Sequence, residues 1–103
     1  MNKLTNNSQE QLDVMRKIGK NPNFTQRDLA EQLGFSLGKL NYCLRELKVK
    51  GFIKMNNFKK SKNKMKYIYV LTPGGITAKT KLTINFMKRK IQEYDELKKE
   101  MKK

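Results

Sequence analysis

The chain has 103 residues, and 24 lysines and arginines against 9 acidic residues give it a formal net charge of +15 at pH 7. A chain of this length can bury only one modest core, and the surplus of positive charge indicates a polyanion such as nucleic acid as its partner. The sequence has no histidine, one cysteine and no GxxxxGK[ST] loop, so we predict no metal site, no cofactor and no enzyme activity.

The sequence also bears on where the protein is found. Its first residues, MNKLTNNSQE, lack the apolar core of a signal peptide, and no apolar run approaches the ~18 residues of a membrane-spanning helix. We therefore expect a cytoplasmic protein without a membrane partner. The single cysteine, Cys43, cannot form an internal disulfide, and we interpret it as a buried apolar side chain rather than a redox sensor.

The first predicted helix covers SQEQLDVMRKIG. Ser8 and Gln11 have the spacing of a capping box at its start. Apolar residues follow at helical spacing from Leu12 to Ile18, and Gly19 ends the helix. We expect this helix to serve in packing.

A second and a third helix are predicted to be joined by a tight turn. In TQRDLAEQLG, Thr25 is the expected N-cap and Gly34 the expected end. Only Phe35 then precedes Ser36, which is the next N-cap. A short helix, a glycine-containing turn and a longer helix form the helix-turn-helix pattern.

The third helix has an apolar side and a polar side. Its leucines, at spacings of three, four and three, are predicted to face the core: Leu37, Leu40, Leu44 and Leu47. The other side carries hydrogen-bonding groups and one aromatic ring. We predict that this side enters the major groove of DNA and that its residues bind there, although they could be ordinary exposed residues: Ser36, Gly38, Lys39, Asn41, Tyr42 and Arg45.

Each of these residues has a chemical reason to be included. Asn41 can form two hydrogen bonds with adenine, Lys39 and Arg45 can reach guanine or phosphate, and Tyr42 can contact a thymine methyl or a phosphate. The helix N-terminus after Ser36 favours a phosphate. Gly38 would let the backbone approach a phosphate closely, and a tolerated glycine near a helix end is the equal alternative.

A β-hairpin, called the wing below, is predicted after the third helix. FIKMNNF and KYIYVLT are rich in β-branched and aromatic residues, and KKSKNK between them would form the tip. No acidic residue occurs from Leu47 to Gln92, so we favour phosphate binding over a merely solvated face. The predicted contacts, to the backbone or the minor groove, are made by Lys59, Lys60, Lys62 and Lys64.

The last predicted helix has Thr72 as its N-cap and Pro73 at its first position. Farther on, apolar residues follow the spacing of a helix–helix seam, either covering the chain's own core or, as we favour, pairing two copies in a dimer. The predicted dimerisation residues are Ile84, Met87, Ile91, Tyr94, Leu97 and Met101. The predicted division is a DNA-binding domain at 1–75 and a dimerisation arm at 76–103.

Three stretches of the sequence resemble MarR-type winged-helix regulators, specifically the short subgroup associated with exopolysaccharide gene clusters: TQRDLAEQLGFSLGKLNYCLRELKVKGFI, NNFKKSKNKMKYIYVLTPGGI and KRKIQEYDELKKE. The resemblance implies a bacterial transcriptional regulator that binds DNA as a homodimer. It also implies that the third helix lies in the major groove with the wing nearby. By position, the third-helix residues named above match the family's groove-facing segment, and LTPGG matches its LTxxG turn.

Two features depart from the general MarR pattern. The wing has Asn63 and Met65 where MarR wings carry Asp-x-Arg, and our hypothesis is that Lys62 or Lys64 replaces the missing minor-groove arginine. The chain is also shorter than typical MarR proteins and has only one long terminal helix. We therefore predict no site for a small-molecule effector.

Together these features predict a mostly α-helical fold with a small β-hairpin wing, a winged helix-turn-helix plus a long C-terminal dimerisation helix. The predicted function is sequence-specific binding of double-stranded DNA by a homodimer that regulates, by resemblance, exopolysaccharide or surface-polysaccharide genes. Two other classes remain open. An RNA-binding or nonspecific polyanion-binding protein could use the same lysines, although no RNP or GXXG motif is present. An interaction adaptor could use the last helix as a coiled-coil handle.

Overall fold

The computed structural model describes residues 3–20, 24–61 and 64–102. Within these ranges the elements are α1 (Lys3–Lys20), α2 (Gln26–Leu33), α3 (Leu37–Val49), β1 (Ile53–Ser61), β2 (Lys64–Leu71) and α4 (Pro73–Met101). The predicted fold class is confirmed, with a two-stranded hairpin among helices and a long C-terminal helix. The predicted domain boundary, between residues 75 and 76, falls in the first turn of α4 and stays a prediction.

Helix α1 begins earlier than its sequence pattern indicated. The predicted capping box at Ser8 is wrong, because the helix already starts at Lys3 and Ser8 lies inside it. No glycine or proline precedes Ser8, so no helix-breaking residue stops α1 from extending toward the N-terminus. At the other end, α1 reaches Lys20, one residue beyond the predicted end at Gly19.

The helix-turn-helix between α2 and α3 is built as predicted. Thr25 caps α2 in a capping box, since its hydroxyl accepts from the backbone N–H of Asp28 and the Asp28 carboxylate accepts from the backbone N–H of Thr25. Gly34 ends α2 with a φ of 70°, a left-handed conformation that glycine adopts without strain. Ser36 caps α3, because its hydroxyl accepts from the backbone N–H of Lys39 at 3.1 Å.

The hydrophobic core lies between α1, α2, α3 and the base of the hairpin. It contains the predicted Leu40, Leu44 and Leu47, each at most 2% exposed, together with Cys43 at 3%. The interpretation of Cys43 as a buried side chain is therefore confirmed. Leu37, however, is 50% exposed, and its predicted burial is wrong. As the first residue of α3, it lies at the end of the stripe, where neighbouring helices no longer cover it.

The two strands of the wing pair in antiparallel fashion. Ile53 lies opposite Leu71 at the base, and Ser61 lies opposite Lys64 at the far end, after a shift in register between Lys59 and Ser61. The strands extend into KKSKNK, so the prediction of that whole stretch as the tip is wrong. The backbone ladder continues through these polar residues because its hydrogen bonds do not depend on side-chain type.

The base of the wing is tied to the start of α4 at a contact that we call the wing–arm joint, formed by Gly51, Phe52, Thr72 and Gly75. The Thr72 backbone N–H donates to the Phe52 carbonyl at 3.0 Å, and the Thr72 hydroxyl donates to the Gly51 carbonyl. The same hydroxyl caps α4 by accepting from the Gly75 N–H at 3.0 Å. A Cβ on Gly75 would collide with the Phe52 carbonyl oxygen, so only glycine permits this approach.

Helix α4 is continuous over 29 residues, or about 43 Å, and gives the molecule its elongated dimensions of 67 × 26 × 23 Å. Its first half packs on α1 and β2, with Leu82 against the core. From residue 87 to residue 102, every residue is exposed. This exposed segment is the outer part of the predicted dimerisation arm, 76–103. No helix within the described ranges is long and apolar enough to span a membrane.

Candidate nucleic-acid interface

The outer side of α3 presents the residues that the sequence singled out. Each of the six predicted contacts is exposed: Ser36, Gly38, Lys39, Asn41, Tyr42 and Arg45. Because the buried leucines lie on the opposite side of the same helix, packing against the core fixes which side of α3 faces outward. The structure therefore brings these residues together on one surface, while their role in binding DNA stays a prediction.

Ser36 and Gly38 shape the start of α3. The Ser36 hydroxyl is used in capping, as described above. A Cβ added to Gly38 would meet no atom within 4 Å, so protein packing gives no reason for a glycine at this position. Close approach of another molecule and simple tolerance of glycine both remain as explanations of Gly38.

Lys39 is held by residues from two other parts of the fold. Its ammonium group pairs with the carboxylate of Glu10 on α1, and it lies 4.5 Å from the centre of the Phe35 ring. The pair is partly exposed, so it contributes little to stability. A DNA phosphate or base would nevertheless have to compete with Glu10 for the Lys39 ammonium group.

Asn41 also has a partner that the sequence did not reveal. The Gln26 side chain, at the start of α2, donates from Nε2 to Asn41 Oδ1 at 2.5 Å. Gln26 and Glu10 were both missed as residues of this surface. Local spacing could not identify them, because each contact joins two helices through residues far apart in the sequence.

The rest of the α3 surface combines an aromatic ring with charged groups. Tyr42 is 53% exposed, and its hydroxyl donates to Glu46 Oε1 at 3.3 Å, one helical turn away. Arg45 is exposed on the same helix. Beneath this surface, burial raises the pKa of the Cys43 thiol, and the nearby Glu10 carboxylate adds to the effect.

The wing lysines gather near the far end of the hairpin. Lys59 and Lys60 belong to β1 and Lys64 to β2, and the pairing of Ser61 with Lys64 brings the ends of the two strands together. Lys62 lies outside the described residues. In the part of the chain that the structure describes, no group of histidine, cysteine or acidic residues could hold a metal ion.

Comparison with known protein families and structures supports the winged-helix fold. Residues 11–54 match a family described as winged helix-turn-helix DNA-binding. The chain therefore has a winged helix-turn-helix fold. The matched stretch runs from α1 through α2 and α3 into β1, and so includes the whole exposed face of α3. A comparison of the sequence with curated proteins found no match.

Three solved structures share the fold over 84% of this chain. Streptococcus pneumoniae FabT in complex with DNA is 22% identical, with a TM-score of 0.63. A MarR family transcription regulator is 21% identical, with a TM-score of 0.69. Staphylococcus aureus MarR in complex with salicylate and kanamycin is 17% identical, with a TM-score of 0.68. This chain spans 59%, 55% and 57% of their respective lengths.

The resemblance to MarR-type regulators is thus confirmed at the level of the fold. The positions at which the MarR pattern would carry Asp-x-Arg fall at Asn63, outside the described residues, and at Met65, in β2. The proposed replacement of the arginine by Lys62 or Lys64 stays a hypothesis. The assignment to the exopolysaccharide-associated subgroup likewise stays a prediction.

Proposed function

We propose that the protein is a transcription regulator that binds duplex DNA sequence-specifically as a homodimer. The observation that carries the proposal is the exposed polar face of α3, whose opposite side is anchored in the core. Helix α3 has 13 residues, or a length of about 20 Å, which suits the major groove. Within this arrangement, at least one of Lys39, Asn41 and Tyr42 would read a base.

Phosphate binding would supply most of the affinity. The net charge of +15 favours displacement of condensed counterions from DNA, and the wing lysines would act along the backbone or in the minor groove. Arg45 and the N-terminus of α3 would add contacts next to the major groove. The wing would therefore contribute affinity for any duplex, and α3 would select the sequence.

The apolar stripe of α4 supports the homodimer. Its six predicted residues, from Ile84 to Met101, are 46–85% exposed in the single chain, although their spacing suits a helix–helix seam. Lys98, which interrupts the seam, lies 5.8 Å from the centre of the Tyr94 ring, so its stem can cover apolar surface while its charge stays in water. A second copy would cover this stripe and place two α3 helices on two half-sites.

By resemblance, the regulated genes would be those for exopolysaccharide or other surface polysaccharides. The protein would act in the cytoplasm of a bacterium. The absence of an effector site stays part of the proposal. Salicylate is the first compound to test, because it occurs in the S. aureus MarR complex. We expect it to change neither the melting temperature nor the DNA affinity of this protein, and a shift in both would contradict the proposal.

Selection of binding sites from random duplex DNA, at about 0.15 M salt and with excess RNA as competitor, tests the proposed function, since nonspecific phosphate binding is weakened there. We expect enrichment of an inverted repeat whose half-sites lie about one helical turn apart. If no motif is enriched and RNA competes as well as DNA, the protein is a general polyanion binder and the proposal is wrong.

A further inference from the structure

We infer that the homodimer is weak in free solution and assembles on DNA, because Lys98 interrupts the surface through which two copies pair; this inference rests on the proposed function. The six predicted dimerisation residues, from Ile84 to Met101, are all exposed in the single chain. Lys98 occupies the position between Tyr94 and Met101 at which the alternating steps of four and three require an apolar residue. Pairing of two copies therefore brings a charged side chain into the seam.

The α4 stripe is also short for a stable seam between two helices. It runs from residue 84 to residue 101, which is about two and a half heptads or roughly 26 Å of helix. Stable coiled coils usually sustain the pattern over three or four heptads. The other exposed large apolar side chains of the described residues lie elsewhere, on α3, on β1 and in the first turn of α4: Leu37, Tyr42, Val49, Met55 and Ile76. A second copy therefore gains only a small apolar contact from this surface.

Lys98 weakens the pairing whichever way the two helices run. In a parallel pair in register, the two Lys98 side chains would lie opposite each other, and their like charges would repel. In an antiparallel pair that aligns the ends of the stripe, Lys98 of each copy would lie opposite Met87, an apolar side chain that cannot neutralise its charge. In the single chain the Lys98 ammonium group lies 5.8 Å from the centre of the Tyr94 ring, and pairing at Tyr94 would disturb this contact.

The net charge of the protein also opposes association when DNA is absent. Each copy carries a formal charge of +15, so two copies repel each other in free solution. DNA reduces this repulsion, because its phosphates neutralise the lysines and arginines that bind them. Two half-sites on one duplex also hold two copies close together at a high effective concentration. A seam that is too weak to hold two copies in dilute solution can therefore hold them on DNA.

Assembly on DNA makes the occupancy of a binding site depend steeply on the amount of protein. When the free protein is monomeric, two copies must associate at each site, so occupancy rises with about the square of the protein concentration. The concentration at half-occupancy then varies as the square root of the dimer dissociation constant. A dimer that is already formed in solution shows neither property.

Sedimentation velocity without DNA measures the strength of the dimer. We expect the wild-type dimer to dissociate with a constant on the order of 10 μM. Lys98→Leu, which continues the apolar stripe, should tighten the dimer at least about tenfold. Lys99→Leu is the matched control, because it makes the same change at the neighbouring exposed residue, outside the stripe, and should leave the constant unchanged. Far-UV circular dichroism verifies that each variant keeps its helices.

Titration of the inverted repeat that the wild type selects measures assembly on DNA. At protein concentrations below the dimer dissociation constant, we expect a Hill coefficient of about 2 for the wild type. Half-occupancy by Lys98→Leu should occur at a concentration about threefold lower than for Lys99→Leu, which is the square root of a tenfold tighter dimer. Both variants lose one lysine, so this difference does not arise from net charge.

The outcomes separate this inference from the proposed function. The inference is overturned by a wild-type dissociation constant below about 1 μM, by a Hill coefficient near 1, or by equal half-occupancy concentrations for the two variants. In those cases the protein is a dimeric regulator that is already assembled in solution. The absence of any selected motif, or a protein that stays monomeric at its highest soluble concentration and on DNA, contradicts the proposed function itself.

Discussion

Helices α3 and α4 carry apolar stripes with similar spacing, but burial differs: three of the four leucines of the α3 stripe are buried, and every residue of the α4 stripe is exposed. Leu40, Leu44 and Leu47 are at most 2% exposed, whereas the six residues of the α4 stripe are at least 46% exposed. Helix α3 packs against α1, α2 and β1, while residues 87–102 of α4 are exposed throughout. The spacing of apolar residues therefore predicts which side of a helix favours burial. The three-dimensional arrangement determines whether the chain itself buries that side.

The largest expected effect comes from shortening a leucine in the buried stripe. Leu40→Ala should lower the free energy of unfolding by about 2–5 kcal/mol, because Leu40 is fully buried and its loss leaves a cavity. Urea unfolding measures the change. The same substitution at Leu97, which is 60% exposed in the single chain, should cost less than about 0.5 kcal/mol when unfolding is measured at a protein concentration low enough to keep the protein monomeric. Equal losses at the two positions would contradict the comparison.

A charge in the α4 stripe tests its role in dimerisation. Ile91→Glu should convert a dimer into a monomer in sedimentation velocity experiments, because two buried carboxylates would face each other across the seam. DNA affinity should fall at least about tenfold once the two α3 helices that bind the half-sites are no longer linked. Gln92→Glu, which adds the same charge to the neighbouring residue, is the control. A wild-type protein that is already monomeric would rule out the dimer.

Removing the acidic partner of Lys39 should have a smaller effect, and in the opposite direction. Glu10→Gln keeps the shape of the side chain but frees the Lys39 ammonium group, so DNA affinity should rise about two- to fivefold, the range of one exposed ion pair. The salt dependence should steepen by up to about one unit of slope. Glu31→Gln makes the same change in net charge on α2. If it raises the affinity equally, the Glu10–Lys39 pair has no specific role.

The smallest expected effect concerns stability at alkaline pH. Burial raises the pKa of the Cys43 thiol and of the Tyr69 hydroxyl. The unfolded chain releases the thiol proton near the ordinary thiol pKa of about 8.5. The folded state keeps this proton to a higher pH. Unfolding then releases protons, so the contribution of these two groups to the free energy of unfolding should be constant below about pH 8.5 and fall above it.

Urea unfolding on both sides of that pH tests the alkaline effect. Cys43→Ala should show a weaker fall in stability than the wild type, since it retains only the contribution of Tyr69. Tyr69→Phe, which keeps the ring and removes the hydroxyl, should weaken the fall at higher pH. If Cys43→Ala loses stability as steeply as the wild type does, the thiol is not responsible.

The helix-turn-helix could be predicted because its boundaries are set locally. The hydroxyls of Thr25 and Ser36 act on backbone groups three residues away, and Gly34 ends α2 by its own conformation. The start of α1 could not be predicted in this way. The spacing at Ser8 suits a capping box, but it is equally compatible with the interior of a helix when no glycine or proline comes before it.

Apart from Leu37, which is exposed although it belongs to the leucine stripe, the exposed side of α3 could be predicted as the complement of that stripe. The contacts of the residues on that side could not be predicted. Lys39 with Glu10 and Asn41 with Gln26 join separate helices, and their geometry depends on how α1, α2 and α3 pack. In the wing, the strands could be predicted from their composition, but the residues at which pairing ends depend on the register.

Because α4 is long, a small rotation at the wing–arm joint would move its far end by a large distance. Thr72 bonds to Gly51 and Phe52 at the base of the wing, and Gly75 touches Phe52 directly. A rotation of about 5° at this joint would move the far end of a helix about 43 Å long by roughly 4 Å, more than the rise of about 3.4 Å per base pair. In a dimer held at its arms, the stiffness of Thr72 and Gly75 would therefore limit how far the spacing between half-sites can vary.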